Sequence, residues 1–124
     1  MRYLVILIVF IASCSSQGLE KTLIGDWHLV KKEKFIKIMS DSYAPIPVEI
    51  LPNESYNFID NKDIIVNSGI GKPHRGNWQI QDSVIKISLN DESKEFKINQ
   101  LSNDTLVMLI DQFRLTFVIN TTSR

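Results

Sequence analysis

His74-Arg75-Gly76-Asn77-Trp78-Gln79-Ile80-Gln81-Asp82-Ser83-Val84-Ile85-Lys86-Ile87-Ser88-Leu89 is the stretch from which the fold can be read. Successive side chains of an extended chain point to opposite faces, so residues two apart share a face. Trp78 and Ile80 fall on one face, with Asn77, Gln79 and Gln81 on the other. Gln81-Asp82-Ser83 then turns the chain. Ile85, Ile87 and Leu89 follow opposite Lys86 and Ser88. This is the pattern of two half-buried strands joined by a tight polar turn.

The same unit repeats towards the C-terminus. Asn90-Asp91-Glu92-Ser93 is a turn of suitable chemistry. Glu95 to Leu101 sets Phe96 and Ile98 against Lys97 and Asn99, and Ser102-Asn103-Asp104 turns again. Leu106 to Ile110 is apolar on both faces. Asp111-Gln112 breaks the run, and Phe113 to Asn120 sets Phe113, Leu115, Phe117 and Ile119 opposite Arg114, Thr116 and Asn120. Upstream, Ser55 to Ile59 carries Tyr56 and Phe58, Asp60 to Asp63 is a turn, and Ile64 to Asn67 is rich in β-formers. Ser68 to Pro73 reads as a flexible loop, and Leu23 to Lys32 as a first strand with Trp27 and Leu29 on one face.

About eight short strands with hairpin links predict an all-β chain, a small antiparallel up-and-down β-barrel. Closing the sheet hides its apolar face and removes exposed edges. No helical stretch is long enough for a βαβ crossover. The irregular segment is Glu33 to Asn53. Phe35, Ile38 and Met39 have helical spacing and predict a short helix. Pro45, Pro47 and Pro52 exclude a long helix or a central strand. So long a connection in a small domain points to a functional element; in a hollow barrel, residues 35–52 would form a lid over the open end.

The N-terminus has its own logic. Arg2 is followed by the apolar run Tyr3 to Phe10 and by the small-residue exit Ile11-Ala12-Ser13-Cys14. The run is too short to span a bilayer, which takes roughly 20 apolar residues. A charged start, short apolar middle and small exit mark a secretory signal peptide. Its exit resembles the lipobox of bacterial lipoproteins, which implies cleavage before Cys14 and acylation of that residue. The chain then divides into a signal peptide (1–13), a tether (14–21), the barrel (22–120) and a polar tail (121–124). The membrane partner is reached through acylated Cys14, in the bacterial cell envelope. The absence of an aspartate after Cys14 favours the outer membrane over the inner.

Composition narrows the functions. Fourteen Lys and Arg balance fourteen Asp and Glu, without the basic excess that drives phosphate binding, so nucleic acid is not an expected partner. Cys14 is the sole cysteine; an intrachain disulfide is impossible, and acylation would leave no thiol nucleophile. His28 and His74 are far apart and have no neighbours at ligand or triad spacing, so no metal site, cofactor or catalytic residue is expected. Gly69-x-Gly71 followed by Lys72-Pro73-His74-Arg75-Gly76 lacks the ending of a phosphate loop and a following helix. Lys72, His74 and Arg75 suggest a basic rim for an anionic head group.

Gly25-Asp26-Trp27 matches the Gly-x-Trp signature of lipocalins, near the mature start where that family carries it. Tyr56 and Phe58 before Asp60-Asn61, then Gly76-Asn77-Trp78-Gln79-Ile80, then Leu101-Ser102-Asn103-Asp104-Thr105-Leu106, resemble in order the lipocalin-like domains of bacterial lipoproteins. The resemblance covers roughly residues 22 to 120. It implies a barrel with a cup for a small hydrophobic or amphiphilic ligand, lined by Tyr56, Phe58, Trp78, Phe96 and Phe117, with Gly25 and Trp27 as signature residues. The family's last-strand arginine packs over the first-strand Trp; the candidates here are Arg114, the one arginine within that strand, early in it and opposite Phe113 and Leu115, and Arg124 in the tail.

Two arrangements remain open. The inward candidates Trp27, Leu29, Tyr56, Phe58, Trp78, Ile80, Ile85, Ile87, Phe96, Ile98, Leu106, Met108, Phe113, Leu115 and Phe117 are bulky enough to pack a small barrel solid. A solid barrel would leave the Phe35 to Leu51 segment to meet another envelope protein.

Overall fold

The period-two pattern of residues 74–89 recurs through the computed structural model, which describes residues 18–120. After a short helix at residues 18–23 come nine strands: β1 (Gly25–Met39), β2 (Ser42–Val48), β3 (Ser55–Phe58), β4 (Asp63–Asn67), β5 (His74–Gln81), β6 (Val84–Leu89), β7 (Glu92–Leu101), β8 (Thr105–Ile110) and β9 (Phe113–Ile119). All pairings are antiparallel. Strands β3 to β9 pair in sequence order. β1 pairs with β3 through residues 25–28 and with β9 through residues 27–34, closing an eight-stranded barrel. The ninth strand, β2, lies outside that ring, against the far half of β1.

Turn chemistry sets the hairpins. Leu89 pairs with Glu92, and the two residues between them, Asn90 and Asp91, have φ of 48° and 69°. Both sit in the left-handed region that short Asx side chains tolerate and that twist-matched hairpins require. Asp82 and Asp111 take positive φ in the β5–β6 and β8–β9 turns. Gly76 serves another need: a Cβ there would lie 2.0 Å from the Ser88 carbonyl oxygen and 2.5 Å from Leu89 Cδ2. Its missing side chain lets β5 approach β6.

The segment from Glu33 to Val48 differs from the expectation. No short helix forms at Phe35 to Met39; β1 runs on through these residues and returns as β2. Phe35, Ile38 and Met39 have helical spacing, but residues 32–37 gain a sheet neighbour in β2, and the tertiary pairing outweighs a weak local signal. Pro45 and Pro47 are accommodated because β2 is an edge strand. They pair with Phe35 and Glu33, and since an imide nitrogen cannot donate to that ladder, it faces the open edge. This edge therefore lacks two donors and is a poor template for a further strand. The hairpin extends past the rim and does not fold across the mouth as a lid: the last β1–β9 bond runs from Phe35 N to Gln112 O (2.8 Å).

Helix 18–23 occupies residues 18–21 of the segment read as a tether. Its Leu23 is fully buried, which binds the helix to the barrel as part of the core. Residues 1–17 and 121–124, including Cys14 and its flanking motif, lie outside the described residues.

Candidate functional site

The barrel interior has two halves of different chemistry. The end carrying helix 18–23 and the β3–β4, β5–β6 and β7–β8 turns is solid. Trp27, Trp78, Phe58 and Phe117 are almost wholly buried there, with Leu23, Ile64, Ile85, Leu106 and Met108. Both Gly-x-Trp motifs serve this floor. Trp27 Nε1 donates to the Leu23 carbonyl at 2.7 Å, and Trp78 Nε1 donates to the Ile59 carbonyl at 3.2 Å. Each indole is apolar over its body and polar at one tip, so it plugs a barrel end while satisfying a turn or helix carbonyl. The Phe58 ring stands edge-on to Trp78 at 5.3 Å. Lys62 lies 4.5 Å above the Trp78 ring and pairs with Glu20 of the helix, sealing this end from outside.

Above the floor the barrel is open. The cup there has a volume of about 540 Å³, inside the roughly 300–1,000 Å³ range of small-molecule sites. Tyr56 forms its base, with its ring 5.1 Å from Phe117 and edge-on to Phe96 at 6.1 Å. Burial, and secondarily the charge of Glu54, push the Tyr56 hydroxyl pKa up, so it remains a neutral donor. Val66, Ile87, Leu89, Ile110, Phe113 and Leu115 make the apolar wall, and Lys32, His74, Asn90, Glu92, Lys94 and Asp111 supply its polar groups. The void exists because the largest rings are gathered in the lower layers, while the upper layers hold smaller aliphatic and polar side chains.

Of the five residues expected to line a cup, Tyr56 and Phe96 do so. Phe58, Trp78 and Phe117 lie beneath it, packed into the floor. Gly25 and Trp27 are buried at the closed end. His74 reaches the cup, within 3.4 Å of the Asn90 side-chain amide; Lys72 and Arg75 are exposed and do not line it. Lys32 and Lys94 do line it, and neither was among the residues expected in a cup. Lys94 shares the face of Phe96 by simple alternation, so its place was legible. Lys32 was not, because a β-bulge between Leu29 and Lys31 shifts the phase of β1.

Arg114 is on the outside of the barrel, away from Trp27. Its Nε donates to Glu33 Oε1 at 2.8 Å, and its guanidinium lies 5.1 Å from the Phe35 ring centre. The Arg114 hydrogen bond is the main cause that holds the Glu33 pKa below its ordinary value, and burial opposes it. The Leu23 carbonyl meets the polar tip of Trp27. Among the described residues no group of three or more His, Cys, Asp or Glu could hold a metal ion, and no helix is long and apolar enough to cross a membrane.

A closed antiparallel barrel, plugged by tryptophans at one end and cupped at the other, defines a class of small cup-shaped β-barrels. The lipocalin-like domain model matches residues 23–108, and the chain belongs to that family. The fold is similar to the crystal structure of a lipocalin-like protein from Bacteroides uniformis ATCC 8492, at 18% identity and a TM-score of 0.60 over 80% of this chain and 99% of that one. It is also similar to an uncharacterized protein from Bacteroides eggerthii DSM 20697, at 12% identity and a TM-score of 0.55 over 78% of this chain and 98% of that one. No curated protein matches the chain.

Proposed function

We propose that this protein is a lipid-anchored component of the bacterial cell envelope whose cup binds a small hydrophobic or amphiphilic molecule, without catalysing a reaction. The observation that carries the binding reading is the cup itself: about 540 Å³ of space walled by Val66, Ile87, Ile110 and Leu115 above a solid aromatic floor. Concave, mainly apolar sites with a few polar groups are what small amphiphiles occupy. Among the described cup residues, the Ser68 hydroxyl donates to the Ile70 carbonyl and His74 Nδ1 lies beside the Asn90 amide, so neither is hydrogen-bonded as a nucleophile–base pair.

The anchoring reading rests on Ile11-Ala12-Ser13-Cys14. Helix 18–23 sits at the closed end, and four residues of chain from Cys14 to Gly18 reach at most about 14 Å. An acylated Cys14 would hold the closed end near the bilayer and turn the cup away from it.

The binding test uses residues 14–124 carrying Cys14→Ser, which retains the whole barrel and its helix. Nile red, a neutral apolar fluorophore, is expected to bind saturably with a blue-shifted emission, and Leu89→Trp, which fills the upper wall, is expected to weaken it at least tenfold. Absence of saturable binding by Nile red and other neutral apolar probes would sink the binder reading. For the anchor, a palmitate analogue supplied to cells is expected to label the wild-type chain and not Cys14→Ser; label that survives the substitution overturns it.

A second reading is favoured by one observation. The β1–β2 hairpin projects beyond the rim with Ile38, Met39, Tyr43 and Ile46 exposed, a surface suited to another envelope protein. Because Pro45 and Pro47 blunt its edge, such a partner would meet side chains rather than add a strand.

A further inference from the structure

We infer that the cup selects anionic amphiphiles, with Lys32 and Lys94 as the groups that hold the head; this rests on the cup being a ligand site. The starting point is the bulge in β1. Trp27 and Leu29 face inward, so strict alternation would next turn Lys31 and Glu33 to the interior. The extra residue between Leu29 and Lys31 instead turns Lys32 inward and Glu33 outward to Arg114. One β-bulge thus removes a carboxylate from the cup wall and puts an ammonium there.

Lys32 is in register with Leu115, well down the β9 wall. Its Nζ lies 5.0 Å from the centre of the Phe113 ring, and Lys34 Nζ lies 5.9 Å from the same ring. Neither lysine forms an ion pair with the described residues, whose salt bridges involve His28, Lys31, Lys62 and Arg114. A half-buried ammonium beside an aromatic wall with no carboxylate partner is poised for an anion from outside. Lys94 lines the cup from β7, in register with Ile87.

Two carboxylates also border the cup, Glu92 and Asp111, but they sit higher. Glu92 is the first residue of β7, two residues above Lys94 on the same face, and Asp111 is in the β8–β9 turn. The charges met below the rim are therefore positive, and those at the lip are mixed. An apolar chain resting on Tyr56 and Phe96 would bring a single anionic head up against the wall that Lys32 and Lys94 line.

The test is competition against bound Nile red by dodecanoate and by dodecanol, each below its aggregation concentration, on residues 14–124 carrying Cys14→Ser. Dodecanoate is expected to displace the dye at a concentration about tenfold lower than dodecanol, the effect of one charge-assisted contact. Lys32→Met, which keeps the apolar stem against Phe113, is expected to remove most of that preference by weakening dodecanoate, with the melting temperature unchanged. Equal potency of the two competitors on the unsubstituted cup overturns the inference and leaves the binder reading standing. A preference that survives Lys32→Met and Lys94→Met together overturns it too. Failure of Nile red and other neutral apolar probes to bind would defeat both readings, and is seen before any competitor is added.

Discussion

Replacing Trp27 with Phe tests one of the contacts that join helix 18–23 to the barrel. Trp27 is fully buried, and its indole donates to the Leu23 carbonyl at 2.7 Å. Phe keeps an aromatic ring but has no donor, so the buried carbonyl loses that bond, at a cost of about 1–3 kcal/mol. The smaller ring also leaves roughly three heavy atoms of buried volume empty, worth about 0.8 kcal/mol per methylene-sized group, or about 2 kcal/mol. The expected loss is therefore about 3–5 kcal/mol, from a total of roughly 5–15 kcal/mol for a domain of this size. Urea unfolding followed by far-ultraviolet circular dichroism reads the total. Amide exchange at Ile24, whose N–H bonds to Glu20 O at 3.2 Å, reads the helix alone. Trp78→Phe is the internal comparison: its lost bond is longer, at 3.2 Å and partly buried, so its cost should be smaller. A Trp27→Phe loss under about 1 kcal/mol, or Ile24 protection unchanged by the substitution, would refute the assignment of this hydrogen bond as the link between helix and barrel.

Two further outcomes follow from the geometry. Gly76→Ala should destabilise by about 1–3 kcal/mol in urea melts, because its Cβ would meet backbone at Ser88 that cannot yield without parting β5 from β6; Gly18→Ala, with nothing within 4 Å, should be harmless, and equal effects would contradict the packing argument. The Glu33–Arg114 pair makes stability depend on pH with a definite sign. The folded-state pKa of Glu33 is lowered, so its contribution is present above the ordinary carboxylate value and is lost as pH falls through the depressed one. The gap in urea midpoint between wild type and Glu33→Gln should accordingly narrow from pH 7 to pH 3, and a gap independent of pH would count against the pair.

Much of the fold was legible because alternation is a local property. Every one of the fifteen large residues assigned inward from the period-two pattern, from Trp27 to Phe117, belongs to the core or packs on it. The Asx-rich breaks at Asp82, Asn90-Asp91 and Asp111 were legible as turns because the side chain that tolerates positive φ is written in the chain itself. Membership of the lipocalin-like family was legible from the two Gly-x-Trp motifs, whose tryptophans each need a nearby carbonyl at the closed end.

What alternation could not supply was anything set by a neighbour distant in sequence. The path of Phe35 to Val48 depended on whether β1 had a free edge for β2, and only the closed ring shows that it does. The division of the barrel into a solid floor and an open cup depended on how the closed ring stacks its rings: Tyr56 and Phe96 line the cup, while Phe58, Trp78 and Phe117 pack in the core without reaching it. The inward turn of Lys32 depended on one unpaired residue in the β1–β9 ladder. Face follows from each residue's own parity. Depth, closure and phase follow from hydrogen bonds between strands as much as ninety residues apart, such as Trp27 and Ile119, and those exist only once the sheet has closed.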